Sequence, residues 1–205
     1  MKSLFLNNSI NFLKKYNKYS EEDIEKLLYG LEGLYLTITK MIIIFITSII
    51  LNIFKEVIMI LVLFNIIRYF GFGVHARKSS ECLITSLTLF VLVPYLLLKF
   101  TLSKNIMLIS GIIEIISFIV FAPADTVKRP FFNARKRMVR KIATTSIGIV
   151  YLIISLMIDN YNIAILFSIA LLIQSIVICP VTYMLLRQPY NNYKKEKREE
   201  VWKKD

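Results

Sequence analysis

Long apolar runs constrain this chain more than any other feature. Six stretches, roughly 34–54, 57–70, 82–100, 105–122, 142–158 and 161–186, hold few charges. Most approach or exceed the ~18–20 residues that a helix needs to cross a bilayer. Hydrocarbon offers no partner to a backbone N–H or C=O, so such runs fold as helices, which satisfy those groups internally. Composition agrees: 56% of the 205 residues are hydrophobic, against about 45–50% in soluble domains, and the mean hydropathy is +0.61. The expected fold class is an all-α integral membrane protein with about six transmembrane helices preceded by amphipathic N-terminal helices. The second run is short and Lys55-Glu56 is a thin divider, so four spans plus a re-entrant or interfacial pair is the alternative. Pro94 and Pro180, inside the third and sixth runs, predict kinks or interrupted ends.

The net charge of +12 would suggest nucleic acid in a soluble protein. Here the cations gather at the ends of apolar runs, where they orient a membrane protein and meet an anionic inner leaflet. No zinc spacing, RNA-binding signature or helix-turn-helix pattern accompanies them, so no nucleic-acid partner is expected. With the N-terminus in the cytoplasm, the inner segments are 1–33, 71–81, 123–141 and 187–205. Of 26 Lys and Arg residues, the outer turns hold only Lys55, Lys99 and Lys104, while Lys40 lies within the first run. That asymmetry predicts a multi-pass membrane protein with both termini on the cytoplasmic side. Two cysteines cannot form a disulfide framework and Cys82 lies among cytoplasmic-type charges, so both are expected as free thiols, and no short apolar region with a cleavage site marks a removable signal peptide.

Three regions follow. Residues 1–33 read as amphipathic interfacial helices: Phe5, Phe12, Leu13 and Tyr16 share one side of the first, and Ser20-Glu21-Glu22-Asp23 has the form of a capping box opening the second. Residues 34–186 form the transmembrane domain, including a cytoplasmic loop at 71–82. Residues 187–205 read as a basic tail, frayed or disordered.

The loop is where chemistry concentrates. Gly71-Phe72-Gly73-Val74-His75-Ala76-Arg77-Lys78-Ser79-Ser80-Glu81-Cys82 contains the chain's one histidine and one of its two cysteines. A thiol beside an imidazole suggests a nucleophile and its base; a solvated loop holding both by chance is the bland alternative. Ser79 is a plausible N-cap, which puts Cys82 at N3 of the next helix, where the positive helix end and nearby Arg77 and Lys78 favour an anion while Glu81 opposes them. Seven residues on one helix would separate His75 from Cys82 by about 10.5 Å, but Gly71 and Gly73 favour a loop that can fold back. Other chemistries lack their residues: there is no His-Glu-x-x-His, no Gly-x-Ser-x-Gly and no phosphate-binding glycine loop. No metal or cofactor is expected. Cys179, before Pro180 in an apolar run, reads as a small core residue. Glu114, in mid-run, should face the bundle.

These residues carry a resemblance. Gly73-Val74-His75-Ala76, Ser79-Ser80 and Cys82, with Tyr29-Gly30-Leu31-Glu32 before them and Ala122-Pro123-Ala124-Asp125 leading to Lys128-Arg129-Pro130 after them, resemble the accessory gene regulator protein B (AgrB) family of bacterial membrane endopeptidases. The similarity runs in order along most of 20–185. Many relatives carry an additional histidine in the first glycine-rich turn, where this chain has Gly71-Phe72-Gly73, which leaves His75 as sole candidate base. The resemblance implies a cysteine endopeptidase whose substrate is an AgrD-type propeptide with an amphipathic leader, a signal sequence and an acidic tail. Cys82 would attack the bond before the tail, His75 would move the proton, and a substrate side chain would close a thiolactone or lactone. It also implies a homodimer. Lys128, Arg129, Arg135, Lys136 and Arg137 could receive the acidic tail or serve only as a topology signal. Glu32, Arg77, Ser79 and Ser80 are candidate supporting residues, with a structural role for Glu32 equally open. Rival functions are a small peptide transporter using Glu114 and a non-catalytic membrane scaffold.

Overall fold

A computed structural model describes residues 21–74, 76, 78–126 and 133–192. Within them the chain is helical, and no named strand is formed. It divides into two compact units, residues 1–47 and 48–205. Helix α1, Glu21–Ile50, supplies the described part of the first unit; the surface helix expected at 3–18 lies outside the described residues.

The second unit contains α2 (Phe54–Gly71), α3 (Ser79–Leu87), a π-helical turn (Thr88–Leu92), α4 (Val93–Lys99), α5 (Lys104–Phe121), α6 (Ala134–Met157), α7 (Tyr161–Ile178) and α8 (Pro180–Leu185). Among the described residues, five stretches are long and apolar enough to cross a membrane: Lys26–Ile50, Ser79–Lys99, Lys104–Phe121, Ala134–Met157 and Tyr161–Ile178. The second expected run, which is not among these five, is the separate helix α2, which carries Lys55, Glu56 and Arg68. The divider is not Lys55-Glu56, which enter the first turn of α2, but Leu51–Ile53, where Asn52 takes φ 56°. Asparagine tolerates that left-handed conformation, whereas Lys and Glu are good helix formers.

Helix α7 lies at the centre, with α2, α5 and α6 packed on it. It is buried nearly all round, from Ala164 to Ile178, as expected of a helix without a polar face. Helix α5 shows the pattern of a peripheral span: Met107, Gly111, Glu114 and Phe118 point inward, while Ile106, Ile109, Ile113, Ile116 and Val120 point out. Glu114 is thus turned into the bundle at 4% exposure. Close packing comes from small residues. A Cβ on Gly148 would lie 2.8 Å from the Phe118 ring, and one on Gly111 would collide with Leu152.

Both internal prolines leave their mark. Pro94 lacks the N–H that would bond four residues back, and the turn before it widens to π geometry, with Val93 N–H bonding Thr88 O. Pro180 divides the sixth run: α7 ends at Ile178 and α8 starts at the proline.

At one end of the bundle the turns 99–104 and 158–161 meet. The Tyr161 hydroxyl donates to Phe100 O (2.5 Å) and accepts from Leu102 N–H (2.9 Å), and Lys104 pairs with Asp159 at 3.7 Å, both side chains exposed. Tyr161→Phe removes two hydrogen bonds worth about 1 kcal/mol each and is expected to lower the detergent melting temperature by several degrees. Asp159→Asn should leave that temperature unchanged, since exposed pairs contribute little.

Candidate functional site

The opposite end holds the loop after α2. Gly71 closes the helix, packed so tightly that a Cβ would come within 2.6 Å of Gln174 Nε2 and 3.0 Å of Thr144 Cγ2. Phe72 (φ 54°) and Gly73 (φ 137°) then reverse the chain. The reversal is stitched to the turn after α5: Ala124 N–H bonds Gly71 O at 3.0 Å, Gly73 N–H bonds Ala124 O at 3.1 Å, and Phe72 pairs with Ala124 in a parallel bridge. Two of the short motifs quoted above, Gly71–Val74 and Ala122–Asp125, are therefore neighbours in space.

The same loop is also tied to α7. Val74 N–H bonds Val177 O at 3.1 Å. In a continuous helix that carbonyl would accept from residue 181, but the break at Pro180 turns the backbone away and leaves it for the loop. Gln174 Nε2 donates to Phe72 O at 3.0 Å, and from α6 Arg140 Nη1 donates to Tyr69 O at 2.9 Å, its guanidinium 4.6 Å from the Phe72 ring centroid. Buried Val74 is thus fixed by three elements, immediately before His75. His75 and Arg77 themselves lie outside the described residues.

Cys82 sits half-buried in the first turn of α3. Its position differs from expectation by one residue: Lys78, with extended backbone and no side-chain cap, occupies the N-cap, so Ser79 is the first helical residue and Cys82 is N4. The cause is the first closed helical bond, Cys82 N–H to Lys78 O at 3.0 Å. That bond engages the cysteine's own N–H, leaving the earlier N–H groups, of Ser79, Ser80 and Glu81, as those without an intrahelical acceptor. Ser79 and Ser80 are solvent-exposed.

Arg68 also contacts the loop. It lies on the last turn of α2, beside the Phe64 ring (5.3 Å to the centroid), and its Nη2 donates to Val74 O at 3.4 Å. One cation therefore contacts the carbonyl that precedes His75.

The accessory gene regulator B family model matches residues 6–178. The chain belongs to this family. As a member of the accessory gene regulator B family, it has a role in the agr quorum-sensing system. It is similar to a putative AgrB-like protein of Clostridium acetobutylicum, 33% identical over 183 residues, covering 88% of this chain and 87% of the relative. A putative AgrB-like protein of Listeria innocua is 32% identical over 181 residues, covering 87% of each. The accessory gene regulator protein B of Staphylococcus aureus is 29% identical over 172 residues, covering 84% of this chain and 91% of the relative. No solved structure matches the chain.

The remaining candidates of this family member fall in separate places. Arg135, Lys136 and Arg137 occupy the first turns of α6, whose N-cap Asn133 accepts from Lys136 N–H at 3.1 Å. Three cations there add to the positive end of the helix, an arrangement that is unfavourable unless an anion meets it. Lys128 and Arg129 lie outside the described residues. Glu32 is half-buried on α1, in the other unit. Cys179 is half-buried, at the junction of α7 and α8. No group of three or more His, Cys, Asp or Glu suited to a metal occurs among the described residues.

Arg68, Arg140, Gln174 and Tyr183 did not stand out in the sequence. A lone cation near the end of an apolar run and a lone amide inside one are signals that could have flagged the first and third, because a polar group at membrane depth needs a partner.

Proposed function

We propose that this protein is a membrane cysteine endopeptidase that removes the acidic tail of an AgrD-like propeptide and promotes cyclisation of the remainder. The observation that carries it is the half-buried Cys82 in the first turn of α3, a few residues beyond the loop whose backbone is fixed up to Val74. The chemistry begins with His75 taking the Cys82 proton as the sulfur adds to the carbonyl at the signal–tail junction. The N–H groups of the first turn of α3 are donors for the oxyanion. Collapse breaks the C–N bond, His75 returns the proton to the leaving amine, and the signal sequence remains as a thioester on Cys82. A thiol or hydroxyl of the same peptide then attacks that thioester, frees Cys82 and closes a thiolactone or lactone. Tethered attack outruns water because its effective concentration is high, about 10⁵ M or more in well-oriented cases.

The substrate's acidic tail is assigned to Arg135, Lys136 and Arg137, with Lys128 and Arg129 close in sequence. Arg77 adds charge beside the loop. The basic end of the bundle is assigned to the cytoplasmic side of the cell membrane, against anionic lipid, and the protein is assigned as a homodimer. Charge reversal of all three α6 cations, Arg135→Glu, Lys136→Glu and Arg137→Glu, is expected to raise KM for the propeptide about tenfold or more with a smaller change in kcat. An unchanged KM would remove these residues from substrate binding. A transport reading would start from Glu114, whose Oε2 has no hydrogen-bond partner among the described residues. It predicts that Glu114→Gln stops export while Cys82→Ala does not.

A further inference from the structure

Residues 187–192, expected as part of a frayed tail, instead return to the loop end of the bundle. After α8, Arg187 (φ 51°) and Asn191 (φ 56°) turn the chain. Gln188 N–H bonds Tyr183 O at 2.8 Å and Asn192 Nδ2 bonds Pro189 O at 3.0 Å, so the strap from Pro180 to Asn192 is closed on itself. Two of its residues then reach one partner. On α8, the Tyr183 hydroxyl donates to Asp125 O at 2.9 Å; at the far end of the strap, Asn192 N–H donates to Asp125 Oδ1 at 3.1 Å. All three residues are buried, Tyr183 at 1% exposure, Asp125 at 3% and Asn192 at 9%.

Such a clamp could serve packing alone, but its place in the chain gives it more consequence. Asp125 directly follows Ala124, whose N–H bonds Gly71 O at 3.0 Å and whose carbonyl accepts from Gly73 N–H at 3.1 Å. The route from the strap to Val74, the residue before His75, is thus a bond to Asp125, one peptide link to Ala124, and a bond to Gly73. A buried carboxyl oxygen that loses its donor is costly, and the usual relief is for the backbone carrying it to move. Movement of Asp125 shifts Ala124, and with it the two bonds that fix the reversal at Gly71–Gly73.

We propose that Asp125 is a positioning residue for the loop that delivers His75: by taking the end of the strap on its carboxylate, it holds Ala124 where Gly71 and Gly73 are fixed. The assignment rests on His75 and Cys82 being base and nucleophile, but its physical core is testable without turnover. In the full-length protein, Asp125→Ala removes the acceptor for Asn192 N–H, whereas Asp125→Asn keeps an Oδ1 in the same place. Hydrogen exchange at the Gly73 amide is expected to quicken about tenfold in Asp125→Ala, with the amides of α7 unchanged, because only the local opening becomes easier. Propeptide cleavage should fall about tenfold in kcat with KM little changed, since a displaced base costs turnover and not substrate binding. Asp125→Asn should recover most of both losses. Asn192→Pro deletes the donor of the same bond from the strap side and should act in the direction of Asp125→Ala; the double variant should be no worse than the more impaired single one. Wild-type exchange at Gly73 in both Asp125→Ala and Asn192→Pro overturns the proposal. So does loss of cleavage with Gly73 exchange unmoved, or with exchange quickened throughout α7, the mark of general destabilisation. An Asp125→Asn variant as impaired as Asp125→Ala overturns it too. If Cys82→Ala still cleaves, the endopeptidase assignment fails, while exchange at Gly73 continues to decide the role of Asp125.

Discussion

Cys82→Ala is expected to abolish cleavage of a co-expressed acid-tailed propeptide, leaving the protein at wild-type abundance in the membrane. The side chain is half-buried in the first turn of α3 and its backbone bond to Lys78 O does not use the sulfur, so removal of the thiol leaves the helix start intact. The loss should be at least about 10³-fold, because a covalent route disappears with its nucleophile and positioning alone recovers only a small part of such a rate. Cys82→Ser should be nearly as inactive, since a hydroxyl in the same place is far harder to ionise. Wild-type protein, quenched during turnover, should carry a hydroxylamine-sensitive adduct of the signal sequence that Cys82→Ala lacks. Undiminished processing by Cys82→Ala would remove the sulfur from the mechanism. His75→Ala gives a separate check: loss of turnover with Cys82 still open to alkylation is the result expected of a missing base.

Gly73→Ala is the second large effect, and it acts through geometry. Gly73 has φ 137°, and an added Cβ would collide with Val177 Cγ1 and lie 3.1 Å from Val177 O. The backbone strain of a non-glycine residue there is about 1–3 kcal/mol, and forcing a methyl into packed space adds about 1–3 kcal/mol more. The relief available is for the loop to lift off α7, giving up Val74 N–H to Val177 O and Gly73 N–H to Ala124 O. Those bonds fix the chain where it enters His75, and a shift of about 1 Å at a reacting group can cost 10²-fold. Cleavage is therefore expected to fall by about 100-fold or more. Gly33→Ala provides the contrast, because nothing lies within 4 Å of its Cβ position in α1; it should leave cleavage unchanged. Equal activity in the two variants would show that the packing of the loop on Val177 is irrelevant to turnover.

The arrangement of these elements explains how an irregular turn is held at the end of a membrane bundle. Backbone at that depth is tolerated only when its polar groups find protein partners. The turn 71–74 finds them in Ala124, Val177, Gln174 and Arg140. Pro180 contributes by freeing the Val177 carbonyl, so a residue that reads as a kink in the sixth run is part of the support for the loop. The membership shown by residues 6–178 covers α1 to α7, and the strap from Pro180 lies beyond that match.

Sequence alone determined the class of fold, because run length and hydropathy leave a chain of this kind little choice but helices. It also isolated the one polar loop with a thiol and an imidazole, and the inward face of α5 followed from Glu114 and its helical spacing. Three things were decided only by tertiary structure. The divider between the first two runs moved to Leu51–Ile53, because an Asn conformation there outweighed the charges at Lys55-Glu56. The start of α3 moved to Ser79, because the first hydrogen bond to close was the one between Lys78 and Cys82. And Tyr183 and Asp125, 58 positions apart, and Gln174 and Phe72, 102 apart, came together. Local patterns report the solvent each segment prefers, since burial and hydrogen-bond satisfaction are set within a few turns. Which distant partner satisfies a buried polar group depends on how the helices pack, and no short stretch of sequence encodes that.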